Sequence, residues 1–278
     1  MLVNSKAMLL KAKKNNTAVF HFNINNLEWT KYILWKCNKL KTGVILGVSE
    51  SAIAYMGGED VVYALVMALI KDLHITIDVC LHLDHGKSFE SCKRCIDAGW
   101  PSVMIDASKY SYEENVALTK KVVDYAHERN VTVEAEIGHV GSIVNNACDD
   151  ILLPSVSECY QFVHDTNIDS LAPSIGTVHG IYKGKLNISF SLIQELSQKL
   201  DIPLVMHGGS GLNDLTLKKA VKCGINKINI NSDIQYAWYK DVRNFIKNND
   251  SVYDPRKVIS SGKDAIYHVV EQKINILK

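Results

Sequence analysis

The chain has 278 residues, with 31 Lys and Arg against 30 Asp and Glu and a formal net charge of +1 at neutral pH. So even a balance gives no electrostatic reason to expect nucleic acid or an anionic membrane surface as a partner. No apolar run is long enough to span a bilayer and no N-terminal apolar core ends in a small-residue cleavage site, so the expected compartment is the cytoplasm.

Strand-like and helix-like stretches alternate from end to end, the pattern of a parallel sheet with crossover helices. Eight strands are predicted, at Thr17–Asn23, Val44–Val48, Ile75–Leu83, Ser102–Asp106, Val131–Ile137, Ser170–Ile175, Pro203–His207 and Lys227–Asn231. Helical periodicity lies between them, as at Leu27–Leu40, Asp60–Leu73, Tyr112–Asn130, Ser189–Leu200 and Asp214–Cys223. After the third strand, Ser88 is placed to cap a helix that Phe89 and Cys92 begin. Cys92 and Cys95 share helical spacing with Ile96 there, and the seven cysteines are odd in number and scattered. The pair therefore reads as reduced and structural. Helical patterns at Ser232–Asn249 and Lys263–Ile276 close the series and add a C-terminal helical extension. Eight such units in this length fit an α/β fold, a (β/α)8 TIM barrel forming a single domain over 1–278. Pattern alone also admits a doubly wound sheet.

The residues that end the strands say more than the strands. In order they are Asn23, Ser49, Asp84-His85, Asp106, Glu136, His179, His207 and Asn231. Barrels of this type build their active sites at that C-terminal rim. The run Leu81-His82-Leu83-Asp84-His85-Gly86-Lys87-Ser88 crowds ionisable groups where burial is costly unless each is paired or bound to a metal. His179, before Gly180, and His207, before Gly208-Gly209-Ser210-Gly211, share that setting. Three glycine-flanked histidines at different strand ends suit a catalytic zinc, which needs three protein ligands and an open position.

His82 shares a strand face with Asp84 and reads as orienting a ligand histidine. Asp84 reads as a proton shuttle to a substrate hydroxyl, or as support for a histidine. Asp106 and Glu136 read equally as alternative metal ligands or as ion-pair partners of Lys87, and Glu134 shares the face of Glu136. His21, His74, His127, His139, His164 and His268 show no comparable setting. The glycine loop 208–211, with a helix opening at Asp214, offers successive backbone N–H groups to a phosphate, and Asn229-Ile230-Asn231-Ser232 repeats the layout. Loops after strands seven and eight are the usual phosphate sites of barrels, which points to a phosphorylated substrate.

Together these motifs resemble the class II, metal-dependent fructose-bisphosphate and tagatose-bisphosphate aldolases over nearly the whole chain. The likeness is carried by His82–Ser88, Ser102–Asp106, Val133–Glu136, His179-Gly180-Ile181-Tyr182-Lys183-Gly184, His207–Gly211 and Asp254-Pro255-Arg256-Lys257. It implies zinc held by His85, His179 and His207, with Asp106 and Glu136 at a second or alternative divalent-ion position. A monovalent cation is a further implied cofactor. Asp84 matches the acid/base that exchanges a proton with the C4 hydroxyl. Gly180, Gly208, Gly209, Ser210, Asn229, Ile230, Asn231 and Ser232 match dihydroxyacetone-phosphate contacts, and Asn23 and Ser49 match other substrate contacts. Arg256 matches an arginine that grips the far phosphate from a neighbouring subunit, implying a homodimer or homotetramer. The implied reaction is reversible cleavage of fructose 1,6-bisphosphate to dihydroxyacetone phosphate and glyceraldehyde 3-phosphate, in glycolysis and gluconeogenesis. Tagatose 1,6-bisphosphate or a related phosphoketose is the alternative substrate.

The chain departs from that family in one loop. The family carries Gly-Gly-x-Glu-Asp after the fifth strand, and its glutamate handles the carbon-bound proton. Here the loop is slightly shorter and reads Gly141-Ser142-Ile143-Val144-Asn145-Asn146, with Val144 where the glutamate is expected. Either Asp149 or Asp150 takes over, or the chain is a slow or repurposed aldolase. At the extreme it is a degenerate one that binds metal and phosphosugar without turnover. A zinc hydrolase on the same barrel is a third alternative, opposed by the two phosphate-type loops and Arg256.

Overall fold

The computed structural model describes residues 1–144, 147–148, 152–180 and 187–277. Its elements are α1 (Ser5–Lys14), β1 (Val19–Asn23), α2 (Leu27–Lys39), β2 (Val44–Ser49), α3 (Glu50–Met56) and α4 (Glu59–Asp72). There follow β3 (Val79–Gly86), α5 (Phe89–Asp97), β4 (Ser102–Ile105), α6 (Tyr112–His127), β5 (Thr132–Ile137), β6 (Gly141–Val144) and β7 (Ala147–Cys148). The second half contains α7 (Val156–Thr166), β8 (Ser170–Pro173), β9 (Val178–His179), α8 (Phe190–Lys199), β10 (Leu204–Met206) and α9 (Asp214–Cys223). It ends with β11 (Ile225–Ile230), α10 (Ser232–Asn248), α11 (Pro255–Ser260) and α12 (Lys263–Ile276).

Eight parallel strands close in the order β1-β11-β10-β8-β5-β4-β3-β2 with helices between them, the expected (β/α)8 TIM barrel. Strand alternation divides the side chains. Phe20 and Phe22, Leu81 and Leu83, and Val133 and Ala135 belong to the main apolar core, where the strands meet the helices. His21, His82 and Glu134, the residues between them, are also buried and face the barrel axis. Gly47 is required by that arrangement, since a Cβ there would lie 1.6 Å from His21 Nε2. The bottom of the barrel is closed by α1, whose Met8 and Leu9 pack with Ile45 and Cys80 in a separate apolar cluster.

Several predicted boundaries moved, for local reasons. The third strand runs Val79–Gly86, so Asp84 and His85 lie on it, whereas Ile75 and Ile77 are buried outside any strand. Ile75 N–H donates to Ile70 O at 3.0 Å and Thr76 N–H to Asn38 Oδ1 at 3.0 Å, which holds that segment in the turn after α4. The bridge from Leu2 to Val79 then starts the strand. The sequence pattern did not single out α1, α3, α7 or the small sheet of β7, β6 and β9, in which Ser142 pairs with His179. Val144 of β6 pairs with Ala147 of β7. Asn145, Asn146, Asp149, Asp150 and Tyr182-Lys183-Gly184 lie outside the described residues.

Ser88 caps α5 as expected, in a reciprocal capping box with Ser91. Cys92 and Cys95 are buried free thiols on that helix, and burial pushes the Cys92 thiol up to about 12. The extension helix α12 packs on α2, α9 and α10. Among the described residues no single helix is long and apolar enough to cross a membrane.

Candidate active site

The end of β3 is bent to deliver its histidine. The pairing of β3 with β4 shifts register between Leu83 and Gly86, and His85 sits at φ +54°. That left-handed conformation is strained for a residue with a Cβ and is characteristic of functional positions. Its effect is to bring the His85 ring within 4.5 Å of the His207 ring and 5.0 Å of the His179 ring, centroid to centroid. His207 follows β10 and His179 ends β9, so three separate strands converge. The three histidines each offer a nitrogen within 4.8 Å of the other two.

Carboxylates ring these histidines. Asp106 Oδ2 lies 2.8 Å from His85 Nδ1, and Asp106 Oδ1 accepts from the Ser108 hydroxyl at 2.8 Å. Burial pushes the Asp106 carboxyl up, but the His85 and Ser108 hydrogen bonds outweigh it and hold it well below the usual range. Glu134 Oε1 lies 3.0 Å from His207 Nε2, and Glu136 Oε2 is 3.4 Å from His207 Nδ1. The last contact has ion-pair distance without hydrogen-bond geometry, so both of its atoms are buried without a hydrogen-bond partner. Burial disfavours a charged His207, yet the two flanking carboxylates lift it to about 10. His179 moves the other way, to about 3, through burial and the neighbouring His85 and His207. His85, Asp106 and Glu136 form a second group whose ligand atoms lie within 4.8 Å of one another.

These donors fit a divalent cation. Orphaned buried polar atoms are rare in folded proteins, and His207 Nδ1 and Glu136 Oε2 face each other here without one. Imidazole nitrogens with carboxylate oxygens close by are the donor set that zinc takes. A positive charge between them would satisfy both.

Asp84 stands beside the cluster, 7 % exposed. Asn23 Nδ2 donates to its Oδ2 at 2.7 Å and Asn229 Nδ2 to its Oδ1 at 3.4 Å, while His21 Nε2 lies 3.9 Å from Oδ1. Burial pushes this carboxyl up, and the His21, His85 and His207 rings with the Lys227 ammonium more than offset it, leaving it well below the usual range. It is an ionised, largely buried base.

Beneath the histidines, Lys227 Nζ donates to Glu134 Oε2 at 2.7 Å and approaches His82 Nε2 at 3.2 Å. His82 Nδ1 meets Ser102 Oγ at 2.8 Å. His82 was expected to orient a ligand histidine, but its hydrogen bonds go to Ser102 and Lys227, and the hydrogen bond to His207 Nε2 is made by Glu134. The expected alternative partnership of Lys87 with Asp106 or Glu136 is not made either. Asp106 and Glu136 turn to the histidines, and the Lys87 backbone N–H donates to Glu50.

A cavity of about 430 Å³ opens over the cluster. Asp84, His85, His179, Asp106 and Glu136 line it, with Asn23 and Ser49 on one side and Gly180, Gly208, Ser210, Asn229, Asn231 and Ser232 on the other strand ends. Gly209 and Ile230 do not. A Cβ on Gly209 would meet Ile228 Cγ2 at 2.6 Å and Asn229 O at 2.9 Å, and Ile230 is fully buried in the apolar core. Arg256 stands apart on α11, its side chain 89 % exposed and paired with Asp254 Oδ2 at 2.8 Å. A second hollow of about 450 Å³ adjoins, sharing Asn23, Ser49 and Asn231 and lined also by Trp29 and Trp238.

Sequence reasoning passed over His21, Lys227, His139 and Ser108. The first two carried a signal, because alternation puts His21 on the face of Asn23 and Lys227 on that of Asn229. His139 and Ser108 line the cavity from loops beyond strand ends, where no periodicity marks them.

Comparison with known proteins adds an independent line. The family model for class-II fructose-bisphosphate aldolase matches residues 3–278. A fructose-bisphosphate aldolase of Staphylococcus aureus is 48% identical over 274 residues, covering 98% of this chain and 96% of that protein. One from Geobacillus stearothermophilus is 47% identical over the same length and coverage. Among solved structures, the YdjI aldolase of Escherichia coli K12 superposes with a TM-score of 0.87 at 28% identity, over 100% of this chain and 97% of that one.

Proposed function

The chain belongs to the class-II fructose-bisphosphate aldolase family, and from that premise we propose that it is a zinc-dependent aldolase cleaving fructose 1,6-bisphosphate to dihydroxyacetone phosphate and glyceraldehyde 3-phosphate. The observation that carries this reading is the convergence of His85, His179 and His207 beside an ionised, doubly hydrogen-bonded Asp84. His85, His179 and His207 would hold the zinc, and Asp106 or Glu136 would serve a second or alternative ion. When bound, the cation supplies Lewis acidity toward the carbonyl oxygen of the ketone half, where negative charge develops as the carbon–carbon bond breaks.

The remaining work falls to the chain's own groups. Asp84 accepts the C4 hydroxyl proton during cleavage and returns it during condensation, while Asn23 and Asn229 hold its two oxygens in place. The loop at 208–211 and the segment 229–232, at the start of α10, form the site for the phosphate of the ketone half. Asn23 and Ser49 extend the contacts toward the aldehyde half, into the hollow beside Trp29. Arg256, exposed on its own subunit, would reach the far phosphate of a second copy in a homodimer or homotetramer. The 278 residues act as one domain.

Purified protein incubated with fructose 1,6-bisphosphate should release both triose phosphates, with a higher kcat/KM than on tagatose 1,6-bisphosphate. The reverse preference would assign the protein to the tagatose substrate. A second reading, binding of metal and phosphosugar without turnover, is favoured by Val144 at the place of the family's loop glutamate. Tight ligand binding with no product from zinc-loaded protein would select it.

A further inference from the structure

The phosphate loop is tied to the C-terminal helix by a charge pair. Lys273 on α12 is 5 % exposed, and its Nζ lies 2.7 Å from Asp233 Oδ2 in the first turn of α10. The other oxygen of that carboxylate accepts the Gly211 backbone N–H at 2.8 Å. Ser210 Oγ accepts the backbone N–H groups of Asn231, at 3.0 Å, and Asp233, at 3.4 Å. The loop after β10 and the helix start after β11 are thus stitched together by Ser210 and Asp233, and Asp233 links them to Lys273 of α12. Gly211, held at φ +77°, is the corner of the loop.

An acidic side chain at this place poses an electrostatic problem. Asp233 shapes the glycine loop by taking a backbone N–H, but its charge stands beside the helix start assigned to an anion. A partly buried carboxylate close to a phosphate raises the energy of both unless a cation neutralises it. Lys273 is buried and in contact with that carboxylate. Its four-carbon stem reaches Asp233 from a helix that supplies no residue to the cavity lining among the described residues.

We infer that Lys273 is a positioning residue for phosphate binding: it neutralises Asp233, so that Asp233 can hold Gly211 in the loop without repelling the bound phosphate. This rests on the reading of the 208–211 and 229–232 loops as phosphate contacts. The dependence is on charge rather than on the hydrogen bond, because an asparagine at 233 could still accept the Gly211 N–H through its amide oxygen. Removing the lysine alone leaves a bare negative charge at the loop, whereas removing both charges leaves the loop shaped and neutral.

The test is titration of zinc-loaded, full-length protein with inorganic phosphate, and steady-state cleavage of fructose 1,6-bisphosphate, for Lys273→Met, Lys273→Arg and Lys273→Met/Asp233→Asn. Zinc affinity is measured alongside. Lys273→Met should weaken phosphate about tenfold and raise KM more than it lowers kcat, with zinc affinity unchanged. Lys273→Arg and the double variant should each return phosphate affinity to within about threefold of the unaltered protein. Unchanged affinity in Lys273→Met, or a double variant as weak as the single one, would overturn the inference while leaving the loops as phosphate sites. Where Lys273→Met does not fold, a double variant that folds but binds phosphate about tenfold more weakly than the unaltered protein would still overturn the inference. Failure of the unaltered protein to bind phosphate or substrate would instead bring down the phosphate reading and this inference with it.

Discussion

At the scale of single residues, Asp84 and the Lys227–Glu134 pair carry separable burdens. Asp84→Asn keeps the shape and hydrogen-bonding reach of the side chain but not its basicity. Its kcat for cleavage should fall on the order of 10²–10⁴-fold, with zinc still bound. Retention of full activity would remove Asp84 from proton transfer. Glu134 meets His207 and fixes which ring nitrogen points away from the cavity floor. Glu134→Gln should therefore weaken zinc about 10–100-fold in a competition assay, the cost typical of losing a ligand's supporting carboxylate. Lys227→Met strands a buried carboxylate in the barrel and should cost about 3–5 kcal/mol of stability in denaturant unfolding. The Asp84-His85 cluster was legible in the sequence because charge has no place at a strand end without a task. The Lys227–Glu134 pair was not, because its partners are 93 residues apart and nothing local to either strand announces the other.

At the scale of elements, the strand pattern and the residues at strand exits could be read directly, since period-2 alternation and the C-terminal rim are local properties. The helices that lie outside a strand–helix repeat could not. The α1 segment closes the barrel bottom, yet its short apolar stripe of Met8, Leu9 and Ala12 sits among four lysines, Lys6, Lys11, Lys13 and Lys14. Leu9→Ala should cost about 2–5 kcal/mol, measurable as a lowered denaturation midpoint, because Leu9 is fully buried against Ile45 and Cys80. A loss below about 0.5 kcal/mol, typical of a surface position, would show that α1 does not seal the barrel. Val144, in β6, carries the opposite lesson. Val144 can exchange no proton, so Val144→Glu should raise the cleavage rate if no other residue of that loop has taken the role. An unchanged rate would argue against a lost base.

At the scale of the whole molecule, the barrel, the histidine cluster and the loops after β10 and β11 describe one apparatus, built where eight strand ends meet. Barrel strands β3 and β10 and the short β9 deliver the histidines, β4 and β5 deliver the carboxylates at 106 and 136, and the glycine loop follows β10 while Asn231-Ser232 follows β11. Loading the site with zinc should raise the melting temperature as the metal concentration exceeds its dissociation constant, since only the folded chain assembles these ligands. The most direct test of the central claim is cleavage of fructose 1,6-bisphosphate before chelation, after chelation and after zinc is restored. Activity that is lost to the chelator and regained with zinc is the expected result. Cleavage that persists in metal-free protein would contradict it, and so would zinc-loaded protein that cleaves no ketose bisphosphate.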